Sequence, residues 1–319
     1  MIIVTGAAGF IGSYLIGRLN KDNFNAVIAV DKFDNALKNE NLRGLKIQER
    51  VERDNFFPWL EKNAALAEFI FHIGARTDTA EFNADLLHRL NTQYTQEIWK
   101  ACVRHQIPLV YASSAATYGL GENGYRDLES ELHLLKPLNP YGWSKQHFDV
   151  WALEQKEKPF FWAGLKFFNV YGPNEYHKGR MASVVWGAYN QVKAQGKIKL
   201  FRSHNPEYKD GEQMRDFIYV KDVAEACIFL MHHRKNSGIY NLGSGKARTF
   251  LSLAHAVFQS LGVKPEIEFI DTPADIRDKY QYFTEADMNK LIGIGYRKPF
   301  HTLEEGVKEY CETLKANRQ

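Results

Sequence analysis

The 319-residue sequence predicts a doubly wound parallel α/β sheet of the Rossmann type with a smaller, interleaved α/β substrate domain. Three observations predict it. Short apolar runs alternate with helix-like stretches through the first half of the chain. Gly6, Gly9 and Gly12 punctuate the turn after the first run. Asp31 closes the second run about 20 residues further on, where a ribose-binding acid belongs in a βαβ unit.

The elements follow in order. Ile2, Ile3 and Val4 suit a buried parallel strand, Tyr14 to Leu19 a helix, and Ala26 to Val30 the second strand. Glycines at such a turn let the backbone approach a pyrophosphate, and the helix N-terminus presents free N–H groups to it. The spacing is Gly-x-x-Gly-x-x-Gly, not the commonest Gly-x-Gly-x-x-Gly. Phe69 to Ile73 and Ile107 to Tyr111 read as strands, with a crossover helix over Thr92 to His105. Gly164 to Phe168 is a further strand. After Tyr171-Gly-Pro173 the pattern changes to shorter elements. These are a helix over Ala182 to Ala194, a strand over Ile198 to Phe201, and a polar loop over Ser203 to Gln213. Phe217 to Val220 reads as a return to the first domain. A strand over Gly238 to Leu242, a helix over Leu251 to Leu261, a strand over Ile267 to Ile270 and a C-terminal helix over Leu303 to Lys315 complete the chain. The expected division is residues 1–170 and 214–243 for dinucleotide binding, and 171–213 and 244–319 for substrate.

Charge and cysteines narrow the function classes. A net charge of +3, from 41 basic and 38 acidic residues, argues for neither nucleic acid nor membrane as partner. No apolar run is long enough to span a bilayer, and a strand at Ile2 leaves no room for a signal peptide. Cys102, Cys227 and Cys311 lie far apart and have no metal spacing, so reduced thiols in a cytoplasmic protein without a metal site are expected.

Tyr141 and Lys145 stand at i and i+4, with Asn139 as the helix cap and Pro140 in the first turn. A phenol of ordinary pKa, about 10, is a poor base near neutrality. A neighbouring ammonium and an oxidised nicotinamide favour the phenolate, which could take a hydroxyl proton while hydride leaves. Lys145 could also hold the nicotinamide ribose. The third partner should be a hydroxyl at a strand end. Ser114 is the choice from Leu109-Val-Tyr-Ala-Ser-Ser114, and Ser113 competes with it.

Together these motifs resemble the extended short-chain dehydrogenase/reductase family of nucleotide-sugar enzymes. The segments that carry the likeness run the length of the chain: Thr5 to Gly12, Tyr111 to Ser114, Tyr141 to Lys145, Phe168 to Pro173, Arg215 to Asp222 and Tyr240 to Gly245. Finer detail in Tyr111 to Gly119, Lys136 to Gly142, His177 to Ser183 and Tyr280 to Thr284 is similar to the branch that exchanges the configuration at C6 of an ADP-linked heptose of the lipopolysaccharide core.

The resemblance implies roles by position. Phe10 and Ile11 would flank the pyrophosphate turn, with Asp31, Lys32, Lys38 and Arg53 around the adenosine ribose. Ile73, Gly74, Ala75, Arg76, Thr77, Asn91, Val170 and Lys178 would complete the cofactor site. Asn169, Arg180, Phe201, Arg202, Ser203, His204, Arg215 and Tyr280 would face the nucleotide sugar. Lys178 would be the second proton-transfer group, because an epimerisation without net redox change returns hydride to the other face of a ketone. The family also implies NADP, with NAD as the alternative that Asp31 favours, and a homo-oligomer, a pentamer.

The chain departs from the family pattern at Ala7, Arg76 and Gly187, and in an insertion-like stretch, Asn205 to Gln213. Ala115-Ala116 replaces the Asp-Glu pair with which a 4,6-dehydratase eliminates water. A C4-epimerase would leave Lys178 idle. A dinucleotide-sensing regulator on the same fold would commonly lack the Tyr141/Lys145 pair.

Overall fold

The computed structural model describes residues 1–79, 81–277 and 280–316. Seven strands form one parallel sheet: β1 (Ile2–Thr5), β2 (Val27–Asp31), β3 (Glu49–Glu52), β4 (Phe69–His72), β5 (Leu109–Ser114), β6 (Trp162–Phe167) and β10 (Gly238–Leu242). Between β6 and β10 the chain adds β7 (Asn169–Tyr171), β8 (Ile198–Phe201) and β9 (Met214–Tyr219), and after β10 it adds β11 (Ala247–Thr249) and β12 (Ile267–Ile270).

The order in the large sheet is β10-β6-β5-β4-β1-β2-β3. The chain winds outward from β1 in both directions, so the order reverses between β1 and β4. At such a switch point the crossovers leave on opposite faces and a crevice opens at the strand C-termini. The register brings the ends together: Thr5 is level with Val30 on β2 and with His72 on β4. The turn after β1, the acid ending β2 and the segment after β4 therefore meet at one edge.

β1, β2 and β4 are wholly buried, as strands covered by helices on both faces must be. β3 carries the sequence Glu-Arg-Val-Glu, and only Val51 is buried, because β3 is an edge strand. The main core joins Ile3, Val4, Ile28 and Ile70 to Trp99 and Phe148 from the covering helices. Each such side chain removed from water contributes about 1.5–3 kcal/mol.

A second core lies around Val185, Tyr189, Leu253, Phe258, Val307 and Tyr310. It joins the helices Val184–Gln195, Phe250–Leu261 and Leu303–Ala316 to two small sheets, β11-β9-β7 and β12-β8. β9 pairs with β7 and β11 and not with the large sheet. The return foreseen at Phe217 comes with the next helix, Val220–His232, which packs against the helix Phe10–Lys21. The expected crossover helix also differs. Tyr94–Arg104 is α-helical, but His88–Gln93 before it is a π-helical turn. Among the described residues, no helix is long and apolar enough to cross a membrane.

Candidate active site

A cleft of about 670 Å³ opens at the switch point. Gly6, Gly9, Phe10, Ile11 and Gly12 form one wall, and Asp31, Lys32, Lys38 and Arg53 form one end. Ile73, Gly74, Ala75, Arg76 and Thr77 line the opposite wall, and Lys178 enters from the other half of the chain.

Two glycines are required by close approach. Gly6 has φ +65°, and a Cβ there would stand 2.5 Å from Gly74 Cα. A Cβ on Gly12 would stand 2.2 Å from the Gly6 carbonyl oxygen. The backbone thus turns tightly into the helix Phe10–Lys21, whose first N–H groups have no intrahelical partners. With the positive end of the helix dipole, they fit a diphosphate.

Asp31 is buried and already engaged. Its carboxylate accepts from the Ala8 and Lys32 backbone N–H groups at 2.9 and 2.7 Å, and from Lys38 Nζ at 2.5 Å. Lys32 pairs with Asp34 at 2.8 Å and Arg53 with Asp54 at 2.9 Å. The acid that would meet a ribose 2′-hydroxyl is therefore neutralised by a lysine standing in the same cleft.

Tyr141, Lys145 and Ser114 form a second cluster at the end of β5, one strand beyond β4. The helix Pro140–Glu154 starts as expected: Asn139 Oδ1 accepts from Gly142 N at 2.8 Å, and Pro140 occupies the first turn. Tyr141 and Lys145 are both buried on one face. Lys145 Nζ donates to the Ala112 carbonyl at 2.8 Å, and burial pushes its pKa down to about 8. Burial raises the pKa of Tyr141, while a hydrogen bond with Ser114 pulls it back. Ser113 is turned elsewhere, its hydroxyl donating to Asp149 at 2.6 Å.

Lys178 sits in a short helical turn, Tyr176–Met181, with Nζ 5.4 Å from the centre of the Phe10 ring. Burial lowers its affinity for a proton, and Glu175 raises it. His177 lines the cleft beside it, 3.3 Å from Asn41 Nδ2 through its Nδ1 atom.

Asn91 stands behind the wall. Its side chain accepts from Arg76 N at 2.8 Å and donates to the Arg76 carbonyl at 3.0 Å and to Ser144 Oγ at 2.9 Å. It thereby ties the segment after β4 to the helix of Tyr141. Asn169 is exposed on β7 and Val170 half-buried next to it. Of the residues expected to face a nucleotide sugar, Phe201, Arg215 and Tyr280 come together. The Arg215 guanidinium lies 5.3 Å from the Tyr280 ring and 5.7 Å from Phe250, and the Phe201 and Tyr280 rings are 6.2 Å apart. Arg215 is buried and, among the described residues, donates to the Met214 and Gln281 carbonyls. Ser203 and His204 are held nearby, Ser203 N by Asp210 at 2.8 Å and His204 N by the Tyr282 hydroxyl at 3.1 Å. Arg202 is exposed beside Asp271, and Arg180 pairs with Asp78 at 3.2 Å.

The cleft residues Arg89, Leu90 and Tyr94 carry no signal in the sequence. They come from the π-helical turn and the helix after it, and one extra residue per turn leaves no mark in the composition. The fully buried Asp149–Lys166 pair, at 2.7 Å, lies behind the cluster, and its signal in the sequence is that Asp149 continues the i, i+4 series of Tyr141 and Lys145. Among the described residues, no group of three or more His, Cys, Asp or Glu side chains is placed to hold a metal ion.

A crevice suited to a dinucleotide beside a buried Tyr/Lys/Ser cluster is the arrangement of a dinucleotide-dependent hydride-transfer fold. The chain belongs to the NAD dependent epimerase/dehydratase family, whose model matches residues 2–243. It is 48% identical to the ADP-L-glycero-D-manno-heptose-6-epimerase of Fusobacterium nucleatum, over 99% of this chain and 98% of that protein. The crystal structure of the enzyme of the same name from Helicobacter pylori superposes with a TM-score of 0.82 at 30% identity, covering 99% of this chain and 96% of that one. The UDP-glucose 4-epimerase of Thermus thermophilus, in complex with NAD, is similar at a TM-score of 0.77 and 26% identity over 98% of each chain.

Proposed function

We propose that this chain converts ADP-D-glycero-D-manno-heptose to ADP-L-glycero-D-manno-heptose by inverting C6, with a tightly held NADP. Gly6, Gly9, Gly12 and the wall Ile73 to Thr77 would hold the dinucleotide, which would supply reversible hydride transfer at C6 by way of a transient ketone. The protein's own groups handle the protons. Tyr141, hydrogen-bonded to Ser114, takes the C6 hydroxyl proton on one side. Lys145 holds positive charge close to the phenolate and favours it. Lys178 serves the other presentation of the ketone and gives up a proton as hydride returns. The two groups then reset by exchange with water, so oxidation state and atoms balance over the cycle.

The observation that carries this reading is Lys178 in the cleft wall, supplied from the other half of the chain, where the reading needs a second proton-transfer group. The 48% identity to a heptose 6-epimerase over nearly the full length supports the substrate. Arg215, buried without a carboxylate partner among the described residues, suits the diphosphate, which a guanidinium meets with paired hydrogen bonds. The Lys38–Asp31 contact favours NADP, because a neutralised carboxylate no longer repels a 2′-phosphate, and Lys32 and Arg53 at the same end could turn to it from their pairs with Asp34 and Asp54.

The test is incubation of purified protein with ADP-D-glycero-D-manno-heptose and no added cofactor, with C6 configuration followed by NMR. Conversion towards an equilibrium of both epimers is expected, with UDP-glucose left unchanged. An unchanged heptose alongside C4 inversion of UDP-glucose would overturn the reading.

A further inference from the structure

Glu175 is fully buried, and burial raises the pKa of its carboxyl, while hydrogen bonds from Ser183 and Gly172 and the charge of Lys178 pull it back. A carboxylate in such a place must be met by hydrogen-bond donors or it is costly. Among the described residues, three donors from its own loop converge on it. Gly172 N donates to Oε1 at 3.3 Å, Ser183 Oγ to the same oxygen at 2.6 Å, and Ser183 N to Oε2. Gly172 and Ser183 are the two ends of the loop that carries Lys178. Only an acceptor-only group with two oxygens meets three such donors at once, which an amide does not.

The backbone joins in. Lys178 N donates to the Glu175 carbonyl at 3.0 Å, which begins the turn that presents the lysine. Elsewhere the loop is anchored by Asn174, whose side chain donates to Ser13 Oγ at 3.0 Å. The Ser183 hydroxyl has a second task. It accepts from Trp186 N at 3.2 Å and caps the next helix, so one serine couples the loop to that helix.

We propose that Glu175 is the positioning residue of Lys178: its buried carboxylate clasps the loop Gly172–Ser183 into a closed ring and thereby fixes where the lysine stands in the cleft. This rests on the reading of Lys178 as the second proton-transfer group. Glu175 does not touch substrate or cofactor in this role. It acts through the lysine, sterically through the loop and electrostatically through its negative charge. The other groups around the pair are His177 on the same loop, Lys38 and Asp31 facing His177, the Phe10 ring under the ammonium, and Tyr176 and Tyr310 beside the carboxylate. A nearby anion favours the ammonium, so losing it should lower the lysine's affinity for a proton.

The test compares Glu175→Gln, Glu175→Asp, Ser183→Ala and Lys178→Met in the full-length holoprotein, measuring kcat, KM and the pH dependence of kcat for C6 epimerisation. Glu175→Gln should lower kcat by about tenfold or more, since small misplacements of a reacting group have that effect, with KM within about threefold. The limb of its pH profile that belongs to Lys178 should move to lower pH. Glu175→Asp keeps the charge, so that limb should stay in place while kcat falls. A Glu175→Gln protein with the parent kcat and pH profile overturns the proposal. If circular dichroism shows that Glu175→Gln does not fold, Ser183→Ala decides. It keeps the carboxylate and removes one clasp, and it should lower kcat severalfold at constant KM; an unchanged kcat overturns the proposal. Normal epimerisation by Lys178→Met would instead overturn the reading beneath it.

Discussion

Tyr141 is buried, and burial makes a phenol hold its proton more tightly. It becomes a useful base only where its neighbours prefer the phenolate. Ser114 supplies a hydrogen bond, and Lys145 stands one helical turn on, its ammonium held by the Ala112 carbonyl at 2.8 Å. Tyr141→Phe keeps the packed ring and removes the proton acceptor. It should retain the bound dinucleotide and lose about 10²-fold or more in turnover. Released cofactor measured by absorbance and epimer formation measured by NMR check both halves, and near-parent turnover would remove Tyr141 from the mechanism. The Tyr141/Lys145 pair was legible in the sequence because residues four apart on a helix share a face. The sequence preferred Ser114 to Ser113, but the reason they differ was not legible. Successive strand residues point to opposite sides of a sheet, and only the fold tells which side carries Asp149 and which carries Tyr141.

At the scale of elements, His72 links three of them. It ends β4, its Nδ1 meets Thr5 Oγ1 of β1 at 2.6 Å, and its Nε2 meets Thr95 Oγ1 of the helix Tyr94–Arg104 at 2.9 Å. Burial, with Lys145 adding to it, pushes the imidazole pKa down to about 3. The folded protein therefore keeps His72 neutral where the unfolded chain, with a pKa near 6.5, binds a proton. Stability from this residue is fully present above the unfolded pKa and is lost as pH falls towards the folded one. Between pH 6.5 and 3 the loss should approach about 1.4 kcal/mol per pH unit. Urea unfolding at pH 7, 6 and 5 measures it, and His72→Gln should give a flatter slope over that window. Equal slopes for the two proteins would refute the role. Strands β1, β2, β8, β10 and β12 announced themselves by continuous apolar or alternating runs. β3 did not, because an edge strand with one buried residue carries almost no apolar signal. β7 and β11, of three residues each, exist only because β9 lies between them.

At the scale of the whole molecule, the two halves of the chain meet at the cleft, and the cofactor is the largest test of how they meet. Lys38 stands against Asp31, while Lys32 and Arg53 at the same end pair with Asp34 and Asp54, so a 2′-phosphate would have to draw these cations from their carboxylates. Freshly purified protein, denatured and analysed by mass spectrometry, should release NADP. Recovery of NAD alone would overturn that choice and leave the epimerase reading standing. Sequence by itself determined the fold class, the glycine turn, the Tyr141/Lys145 pair and the family. Those features are local: strand, turn and helix faces are set by residues within a few positions of one another. Tertiary structure alone decided that Lys38 neutralises Asp31, that β9 joins the small sheet, and that Glu175 closes the loop of Lys178. Each of these depends on groups brought into contact by packing, on desolvation, or on the phase of a strand, and none of these is written in the spacing of residues along the chain.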